Sequence, residues 1–259
     1  EQNIPLKSLY KFTPSQVKGK KSVTMVKGAA EIVLANCTAY IDENGQRQPL
    51  PSHENLLNEM NKMSERAMRL IGLAVTDESI GEDPTLPQNL ALVSIFGLRD
   101  EIRQEAKVAV QEAQAAGIRV VMITGDAKNT ARAIAKEMGI IQGDNPVVTT
   151  STELGEMSDS QIRDMLPNLC VVARALPTDK SRLVKAAKER NWVVGMTGDG
   201  VNDAPAVKNA DVGFAMGSGT EMTKESSDIV ILDDNFSSLT RAVLYGRTLL
   251  KSILSLIHI

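Results

Sequence analysis

The sequence predicts an α/β protein built on a doubly wound parallel sheet, preceded by a smaller α+β region. Short apolar runs without polar alternation recur through the second half of the chain, helical segments separate them, and acidic turns follow two of the runs. Strands that are apolar throughout are buried on both faces, which is typical of parallel sheets covered by helices.

The composition allows one large or two ordinary domains and excludes several classes of function. The chain has 259 residues, 42% hydrophobic and 3% aromatic, with a formal net charge of −3. We expect no nucleic-acid partner, because there is no global excess of basic charge and few rings for base stacking. Cys37 and Cys170 are the only cysteines and are expected to be reduced and buried. No apolar run is long enough to span a bilayer, so we expect the chain itself to be soluble.

The first part of the chain, residues 1–97, is expected to mix short strands and helices. Its predicted elements are a strand at 22–27, a helix-like segment at 28–37, an Asn-Gly turn at 41–46, a helix at 54–70 and a buried strand at 90–98. The helix at 54–70 is inferred from apolar residues that share one helical face, namely Leu57, Met60, Met63, Ala67 and Leu70.

The second part repeats a strand–helix rhythm. Helices are predicted near 101–116, 128–138, 158–165, 204–209 and 219–225, and strands at 118–123, 147–149, 169–173, 192–196, 211–215 and 229–232. A further helix, capped by Thr178 or Asp179, is expected to run to about Arg190. Ligands bind such sheets at the carboxyl ends of the strands, and both acidic turns, at 124–126 and 197–200, lie at such ends.

The turn at 197–206, TGDGVNDAPA, places Asp199 and Asp203 close together after an apolar run. Unpaired acids at the end of a buried strand are costly unless a cation compensates them. Carboxylates hold Mg²⁺, which prefers oxygen ligands. The sequence therefore predicts a magnesium site with Asp199 and Asp203 as metal ligands, beside Asn202.

A phosphate is the ligand that such a metal would be expected to bind. Thr124 offers a hydroxyl, Gly125 and Asp126 offer backbone amides that can form a phosphate-binding nest, and Lys180 can offset phosphate charge. By itself the TGD turn is more commonly structural and a single lysine is more commonly solvated; the full string at 197–206 is far more specific.

Four segments together resemble the phosphorylation domain of P-type cation-transporting ATPases, a domain of the haloacid-dehalogenase-like superfamily: MITGD (122–126), ARALPTDK (173–180), TGDGVNDAPAVK (197–208) and DDNFSSL (233–239). KGAAEIVLANC (27–37) resembles the nucleotide-binding domain of these pumps. The amino-acid sequence of residues 122–140 is most similar to that of calcium pumps. The resemblance implies ATP and Mg²⁺ as cofactors, and Ca²⁺ as a transported cation bound by membrane helices outside this chain. It also implies a location on the cytoplasmic side of a membrane.

The resemblance implies a role for each matching residue at the phosphorylation site. Asp199 would be the Mg²⁺ ligand, with Asn202 and Asp203 supporting it through hydrogen bonds, and Lys180 would neutralise the transferred group. Of the other matching residues, Thr124 and Gly125 would bind phosphoryl oxygens, Asp126 would orient the nucleotide, and Arg174 would lie near the phosphates.

For the nucleotide, the resemblance implies Lys27 and Gly28 against the adenosine and Arg69 at the phosphates. The aromatic residue that stacks on adenine in the family aligns with Leu6, and its accompanying lysine with Lys11. An alternative alignment places Phe12 there, with Lys20 or Lys21 as the lysine.

The family's nucleophile is the Asp of an Asp-Lys-Thr-Gly-Thr string, which forms an aspartyl-phosphate and which does not occur in these 259 residues. We therefore expect part of a nucleotide-binding domain at 1–97, a phosphorylation domain lacking the nucleophile strand at 98–244, and the start of a stalk helix at 245–259. The stalk carries an apolar stripe expected to pack on this domain or a neighbouring molecule: Leu249, Leu250, Ile253, Leu256 and Ile257.

The chain is accordingly interpreted as a cytoplasmic fragment of a cation-pumping ATPase, inactive by itself, whose partner is the remainder of the transporter. A sheet without its central strand exposes unpaired edges, so the fragment is expected to self-associate, rearrange or be only marginally stable. Two alternatives remain: a free-standing phosphatase of the same superfamily, against which the absent nucleophile argues, and a non-catalytic nucleotide-sensing module.

Overall fold

The computed structural model describes residues 2–3, 12–18, 22–78, 86 and 89–257. The chain divides into two compact units, Glu1–Asp100 and Glu101–Ile259. Leu6 and Lys11, the residues predicted to contact adenine, lie outside the described residues.

The first unit contains a seven-stranded mixed sheet and two helices. Its elements are β1 Gln2–Asn3, β2 Phe12–Lys18, β3 Ser22–Ala29, α1 Ala30–Ala35, β4 Cys37–Ile41, β5 Arg47–Pro49, α2 His53–Glu65, β6 Arg69–Thr76 and β7 Leu90–Leu98. The strand order is β1-β2-β3-β6-β7-β4-β5. Only the β4–β7 pair is parallel among these described strands, which agrees with the predicted α+β layer.

The helices of this unit cover one face of the sheet and leave the other open. Val26 and Ala74, paired across β3 and β6, are fully buried in the same core cluster as Val33 of α1. Lys27, the next residue along β3, is exposed. Because successive side chains of a strand point to opposite faces, the alternation in β3 and β6 reports one buried and one open face.

The predicted helix at 54–70 is wrong over its last five residues, 66–70. Helix α2 ends at Glu65, Ala67 has φ 59°, and Leu70 belongs to strand β6. A non-glycine residue in the left-handed region stops a helix, and the apolar residues beyond it follow a strand period. The segment at 28–37 is also divided, since its first two residues extend β3 and its last residue opens β4.

The second unit alternates strands and helices. Its elements are α3 Gln104–Ala115, β8 Met122–Ile123, α4 Lys128–Glu137, β9 Val147–Thr150, α5 Ser151–Glu156, α6 Asp159–Met165, β10 Leu169–Ala173, α7 Pro177–Glu189, β11 Gly195–Gly198, α8 Ala204–Asn209, β12 Val212–Met216, α9 Glu221–Glu225, β13 Ile229–Ile231 and α10 Phe236–Ile257. All strand pairs in it are parallel among the described residues, which confirms the predicted α/β class with parallel sheets.

The parallel strands form two three-stranded sheets in the part of the chain that is described, with orders β8-β10-β9 and β11-β12-β13. The segment predicted as a strand at 118–123 is paired only at Met122–Ile123. Strand β10 is buried throughout, and its residues are divided between two cores, with Val171 in one and Val172 in the other. Helices therefore cover both faces of this sheet, as the apolar run predicted.

Helix α7 joins the two sheets. Leu183 packs in the core that contains Val172 of β10, whereas the next residue, Val184, packs with Met196 of β11 and Val207 of α8. Neither Thr178 nor Asp179 is the N-cap residue of α7, because the helix begins at Pro177 after Leu176. Asp179 nevertheless contributes to the helix start, since its carboxylate accepts from the Leu176 amide at 2.7 Å. A proline suits the first helical position, where its missing N–H is not needed.

Helix α10 does not bury its apolar stripe against the second unit. Leu249, Leu250 and Ile253 are 67%, 57% and 47% exposed. Of the two expected partners of the stripe, this domain is therefore wrong for these three side chains, whereas packing on a neighbouring molecule stays a prediction. The side chains of Leu256 and Ile257 lie outside the description. Among the described residues, no helix has the length and hydropathy of a membrane span.

Candidate phosphoryl-transfer site

The loop after β11 folds back on the end of its own strand. A 3₁₀ turn spans Val201–Asp203 and delivers Asp203 beside Gly198. A Cβ at Gly198 would lie 2.5 Å from the Cβ of Asp203 and 2.9 Å from Cγ2 of Val207. Glycine is therefore required at 198 because the Asp203 side chain occupies the space next to the backbone.

Asp203 is buried and paired with Lys180. The Lys180 Nζ donates to Asp203 Oδ1 at 2.5 Å, and the two side chains are 20% and 9% exposed. Lys180 lies in the first turn of α7, which starts after β10, so α7 brings the carboxyl ends of β10 and β11 together. Two residues predicted from separate motifs thus form one ion pair.

This pair corrects the electrostatic argument for a metal. The negative charge of Asp203 is compensated by Lys180, and Asp199 is exposed to solvent. Neither carboxylate needs a divalent ion to be tolerated in the fold. Since the ammonium already occupies one Asp203 oxygen, the geometry favours a supporting role for Asp203 over direct coordination.

Asp199 and Asn202 present exposed side chains at the tip of the loop. Hydrogen bonds hold the loop in place, one from within the loop and two from the start of α9. The Asp199 amide donates to Asp203 Oδ2 at 3.4 Å, and the Asp199 carbonyl accepts from the Thr220 amide at 2.9 Å. The fully buried Thr223 donates its hydroxyl to the Gly200 carbonyl at 2.8 Å.

Thr220 and Thr223 are positioning residues that sequence reasoning missed. They stand at the start of α9, some twenty residues beyond the loop they hold. The threonine pair at the beginning of a short helix is a capping pattern, and it signals a helix start without indicating a tertiary partner.

The TGD turn after β8 is organised by local hydrogen bonds. The Thr124 hydroxyl donates to Asp126 Oδ2 and accepts from the Asp126 amide, both at 3.1 Å. A Cβ at the exposed Gly125 would meet no atom within 4 Å, so the space around this residue is open. The Thr124 hydroxyl and the Asp126 amide therefore donate within the turn, and an anionic ligand would have to replace these two hydrogen bonds to accept from both groups.

Arg174, which follows β10, contacts the same turn. Its amide donates to the Asp126 carbonyl at 3.0 Å and its Nη1 donates to the Gly125 carbonyl at 3.0 Å. Arg174 has φ 52°, an uncommon conformation for a non-glycine residue. Burial lowers the pKa of its guanidinium from the usual value. The structure therefore brings Arg174 to Gly125 and Asp126, and their roles toward phosphate and nucleotide stay predictions.

In the first unit, Lys27 and Arg69 share the open face of the sheet. Lys27 is paired with Leu73 across β3 and β6, and Arg69 lies four residues before Leu73 on the same strand, which is about 13 Å along it. Gly28 is paired with Gly72. A Cβ added at Gly72 would lie 3.0 Å from the Cβ of Val33 in α1. Lys27 therefore faces away from α1, whereas the next residue, Gly28, lies on the side that α1 covers.

Phe12 does not lie on that open face. It is paired with Gly28, is 8% exposed and belongs to the core under α1. This position places the Phe12 ring on the opposite side of the sheet from the Lys27 side chain, which disfavours the alternative adenine contact.

The donor set at the loop fits Mg²⁺ only in part. The described residues contain no group of three or more His, Cys, Asp or Glu able to hold a metal ion. Mg²⁺ is commonly held by one or two carboxylates together with substrate phosphates and water. Asp199 can supply one exposed carboxylate oxygen, and the remaining ligands would come from a phosphoryl group and solvent.

The chain is similar in sequence to calcium-transporting ATPases. The chain is 42% identical to the calcium-transporting ATPase PAT1 of Dictyostelium discoideum over 96% of its length. It is 41% identical to the plasma membrane-type calcium-transporting ATPase 8 of Arabidopsis thaliana over 88%, and 37% identical to the human plasma membrane calcium-transporting ATPase 3 over 97%. It spans 23%, 23% and 24% of these three relatives. The similarity to calcium pumps inferred from the motifs is confirmed.

A family model described as haloacid dehalogenase-like hydrolase matches residues 24–211. The match covers more than half of the chain and includes both acidic turns, α7 and the Lys180–Asp203 pair. With its parallel sheets and with the turns at the strand ends, the chain belongs to the haloacid dehalogenase-like hydrolase family.

Proposed function

We propose that this chain is a cytoplasmic portion of an ATP-driven calcium transporter, which couples ATP hydrolysis to ion export through an aspartyl-phosphate. Residues 1–97 would form part of its nucleotide-binding domain, 98–244 its phosphorylation domain, and 245–259 the start of a stalk helix. The observation that carries the proposal is the convergence of Lys180 and Asp203 beside the exposed Asp199.

The residues at this site divide into contacting and positioning groups. Asp199 would hold the Mg²⁺ that accompanies the phosphoryl group, and Lys180 would offset phosphoryl charge. Asp203 orients Lys180 and accepts from the Asp199 amide, while the exposed Asn202 would support the site through hydrogen bonds. The bound metal would stabilise the charge of the transferred group.

The second turn would bind the phosphoryl oxygens and the nucleotide. Thr124 and Gly125 offer a hydroxyl and an open backbone. Asp126 would orient the nucleotide, and Arg174, held against the Gly125 carbonyl, would lie near the phosphates. In the first unit, Lys27, Gly28 and Arg69 would bind the nucleotide.

The nucleophile would be supplied by a strand between β8 and β11. Among the described residues, β8 pairs only with β10 and β11 only with β12. Each strand leads into one of the two proposed phosphate-binding turns, and α7 packs on both sheets. One inserted parallel strand would join the sheets and bring an aspartate between the turns, so the remainder of the transporter is the partner we propose.

Phosphorylation by radiolabelled ATP with Mg²⁺ tests this proposal. We expect the chain alone to form no acid-stable, hydroxylamine-sensitive phosphoprotein. With an added peptide that carries the Asp-Lys-Thr-Gly-Thr strand, we expect the peptide to be labelled. Asp199→Ala should abolish the labelling, whereas Asp144→Asn, at an exposed carboxylate away from both turns, should not. An acyl-phosphate on the chain alone would contradict the proposal.

The two alternatives make different predictions. A free-standing phosphatase would hydrolyse small phosphate esters without the peptide and lose this activity with Asp199→Ala. A nucleotide sensor would bind ATP tightly as a stable monomer. Our proposal instead expects weak ATP binding and self-association through the open edges of β8 and β11, and sedimentation measures the association directly.

A further inference from the structure

Three loops meet at the carboxyl edge of the sheet formed by β11, β12 and β13. The loop of Asp199 follows β11, residues 217–220 follow β12, and residues 232–235 follow β13. Strand β12 lies between the other two strands, so the loop that follows it, which we call the central loop (217–220), can contact both of its neighbours.

The central loop packs backbone to backbone against the loop of Asp199. The Thr220 amide donates to the Asp199 carbonyl at 2.9 Å. A Cβ at the buried Gly219 would lie 3.1 Å from the Asp199 carbonyl oxygen and 3.3 Å from the Asp199 Cα. Because no side chain lies at this contact to absorb a movement, a displacement of the central loop is passed directly to the Asp199 backbone.

Asp234 holds the other side of the central loop. Its Oδ1 accepts from the Ser218 amide at 3.0 Å, and the Gly217 amide donates to the Ile231 carbonyl at 2.8 Å. A Cβ at Gly217 would lie 2.7 Å from the Leu232 carbonyl oxygen, so these backbones also touch. Two glycines in four residues give the central loop little conformational preference of its own, and contacts with its neighbours therefore decide where it lies.

The conformation of Asp234 is itself uncommon. Its φ is 51°, in the left-handed region that aspartate and asparagine tolerate better than other residues with a side chain. Such a conformation persists where the surrounding structure holds the residue in place. Hydrogen bonds from Ser218, from its amide first and then from its hydroxyl, lower the pKa of the Asp234 carboxyl group. The acceptor is therefore an ionised carboxylate, which forms a stronger hydrogen bond than a neutral oxygen.

We propose that Asp234 is a positioning residue of the candidate phosphoryl-transfer site. Its carboxylate fixes the central loop, and the central loop fixes the Asp199 backbone and with it the direction of the Asp199 carboxylate. The inference rests on the Mg²⁺-binding role proposed above for Asp199. It adds to Thr220 and Thr223 a residue of the DDNFSSL segment at 233–239, which links the chain to the family without indicating a role in the site.

Amide hydrogen exchange in the whole chain, followed by NMR, tests whether Asp234 holds the central loop. Asp234→Gly permits the left-handed backbone but removes the carboxylate, so exchange of the Ser218 and Thr220 amides should become about 10-fold faster. Asp234→Asn keeps an acceptor oxygen and should retain near-wild-type exchange. Asp233→Ala is the matched control, because Asp233 accepts from the Ser238 hydroxyl at 2.6 Å, and its truncation should leave both amides unchanged.

The Mg²⁺ dependence of peptide labelling by ATP tests whether the central loop positions Asp199. Asp234→Gly should raise the half-saturating Mg²⁺ concentration by about 10-fold and leave labelling at saturating Mg²⁺ near the wild-type level. A mere loss of folded protein would instead lower the maximum and leave half-saturation unchanged. Asp234→Asn should restore the wild-type Mg²⁺ requirement, and Asp233→Ala should not change it.

Each measurement can overturn the assignment. Wild-type exchange in Asp234→Gly, or faster exchange with an unchanged Mg²⁺ requirement, overturns the positioning role. An Asp234→Asn chain that behaves like Asp234→Gly does so too, because the hydrogen bond to the central loop is then not the cause. No peptide labelling by the wild-type chain overturns the proposed function and the Mg²⁺ role with it, and the exchange rates then still decide whether Asp234 holds the central loop.

Discussion

Replacing Lys180 by methionine should destabilise the second unit because it leaves the Asp203 carboxylate buried without a partner. The Nζ–Oδ1 distance is 2.5 Å and the Asp203 side chain is 9% exposed, so little water can replace the ammonium. Removal of one partner from a buried pair costs about 3–5 kcal/mol. Lys180 is 20% exposed, and this partial access to solvent lowers our expectation to about 2–4 kcal/mol.

Urea unfolding followed by Trp192 fluorescence measures this cost. Trp192 is the only tryptophan of the chain, and its ring lies 5.9 Å from the Arg119 guanidinium and 5.4 Å from that of Arg190, so its emission should report on the second unit. With a denaturant slope of about 2 kcal/mol/M, the midpoint should fall by roughly 1–2 M.

Two further variants separate the ion pair from a general effect of substitution in α7. Lys185→Met removes a lysine that is 74% exposed and 3.9 Å from Glu189, and it should change the free energy of unfolding by less than about 0.5 kcal/mol. Combining Lys180→Met with Asp203→Asn should recover about 2 kcal/mol of the loss, since the unpaired group is then neutral. A Lys180→Met chain as stable as the wild type, with no coupling to Asp203, would refute this reasoning.

Three other predictions follow from single sites. Gly198→Ala should destabilise by about 1–3 kcal/mol in urea unfolding, because its Cβ would lie 2.5 Å from that of Asp203, whereas Gly200→Ala, with no atom within 4 Å, should be nearly neutral. Burial raises the pKa of the Cys37 thiol to about 11, so alkylation of Cys37 in the folded chain at pH 8 should be about 100-fold slower than that of an ordinary thiol; rapid modification without unfolding would contradict this burial. The pKa of Asp211 is lowered mainly by a hydrogen bond from the Val194 amide and next by one from Lys188. The ionised Asp211 carboxylate therefore stabilises the fold above about pH 4, and this stabilisation is lost as the pH falls through the lowered pKa. Asp211→Asn should accordingly flatten the decline of the urea midpoint below about pH 5.

The sequence predicted secondary structure correctly where the pattern of neighbouring residues is sufficient to determine it. The run LCVVA predicted a strand at 169–173 with the bounds that the structure has, because a strand buried on both faces needs apolar residues at every position. The end of α2 was missed because Met63, Ala67 and Leu70 also fit a helical period. Only the left-handed backbone at Ala67 separates the helix from β6, and a β-strand there depends on pairing with β3 and β7.

The sequence by itself determined the family, the α/β class and the candidate residues at the strand ends. Glycines, acidic residues and apolar runs at fixed spacing indicate, within a few residues, which backbone conformation the chain adopts and which side chains are buried. Only the tertiary structure decided how those residues combine. Lys180 and Asp203 are 23 positions apart, and Thr223 is as far from Gly200. Their pairing depends on how α7 and α9 pack, and packing between distant segments leaves no periodic signal in one chain.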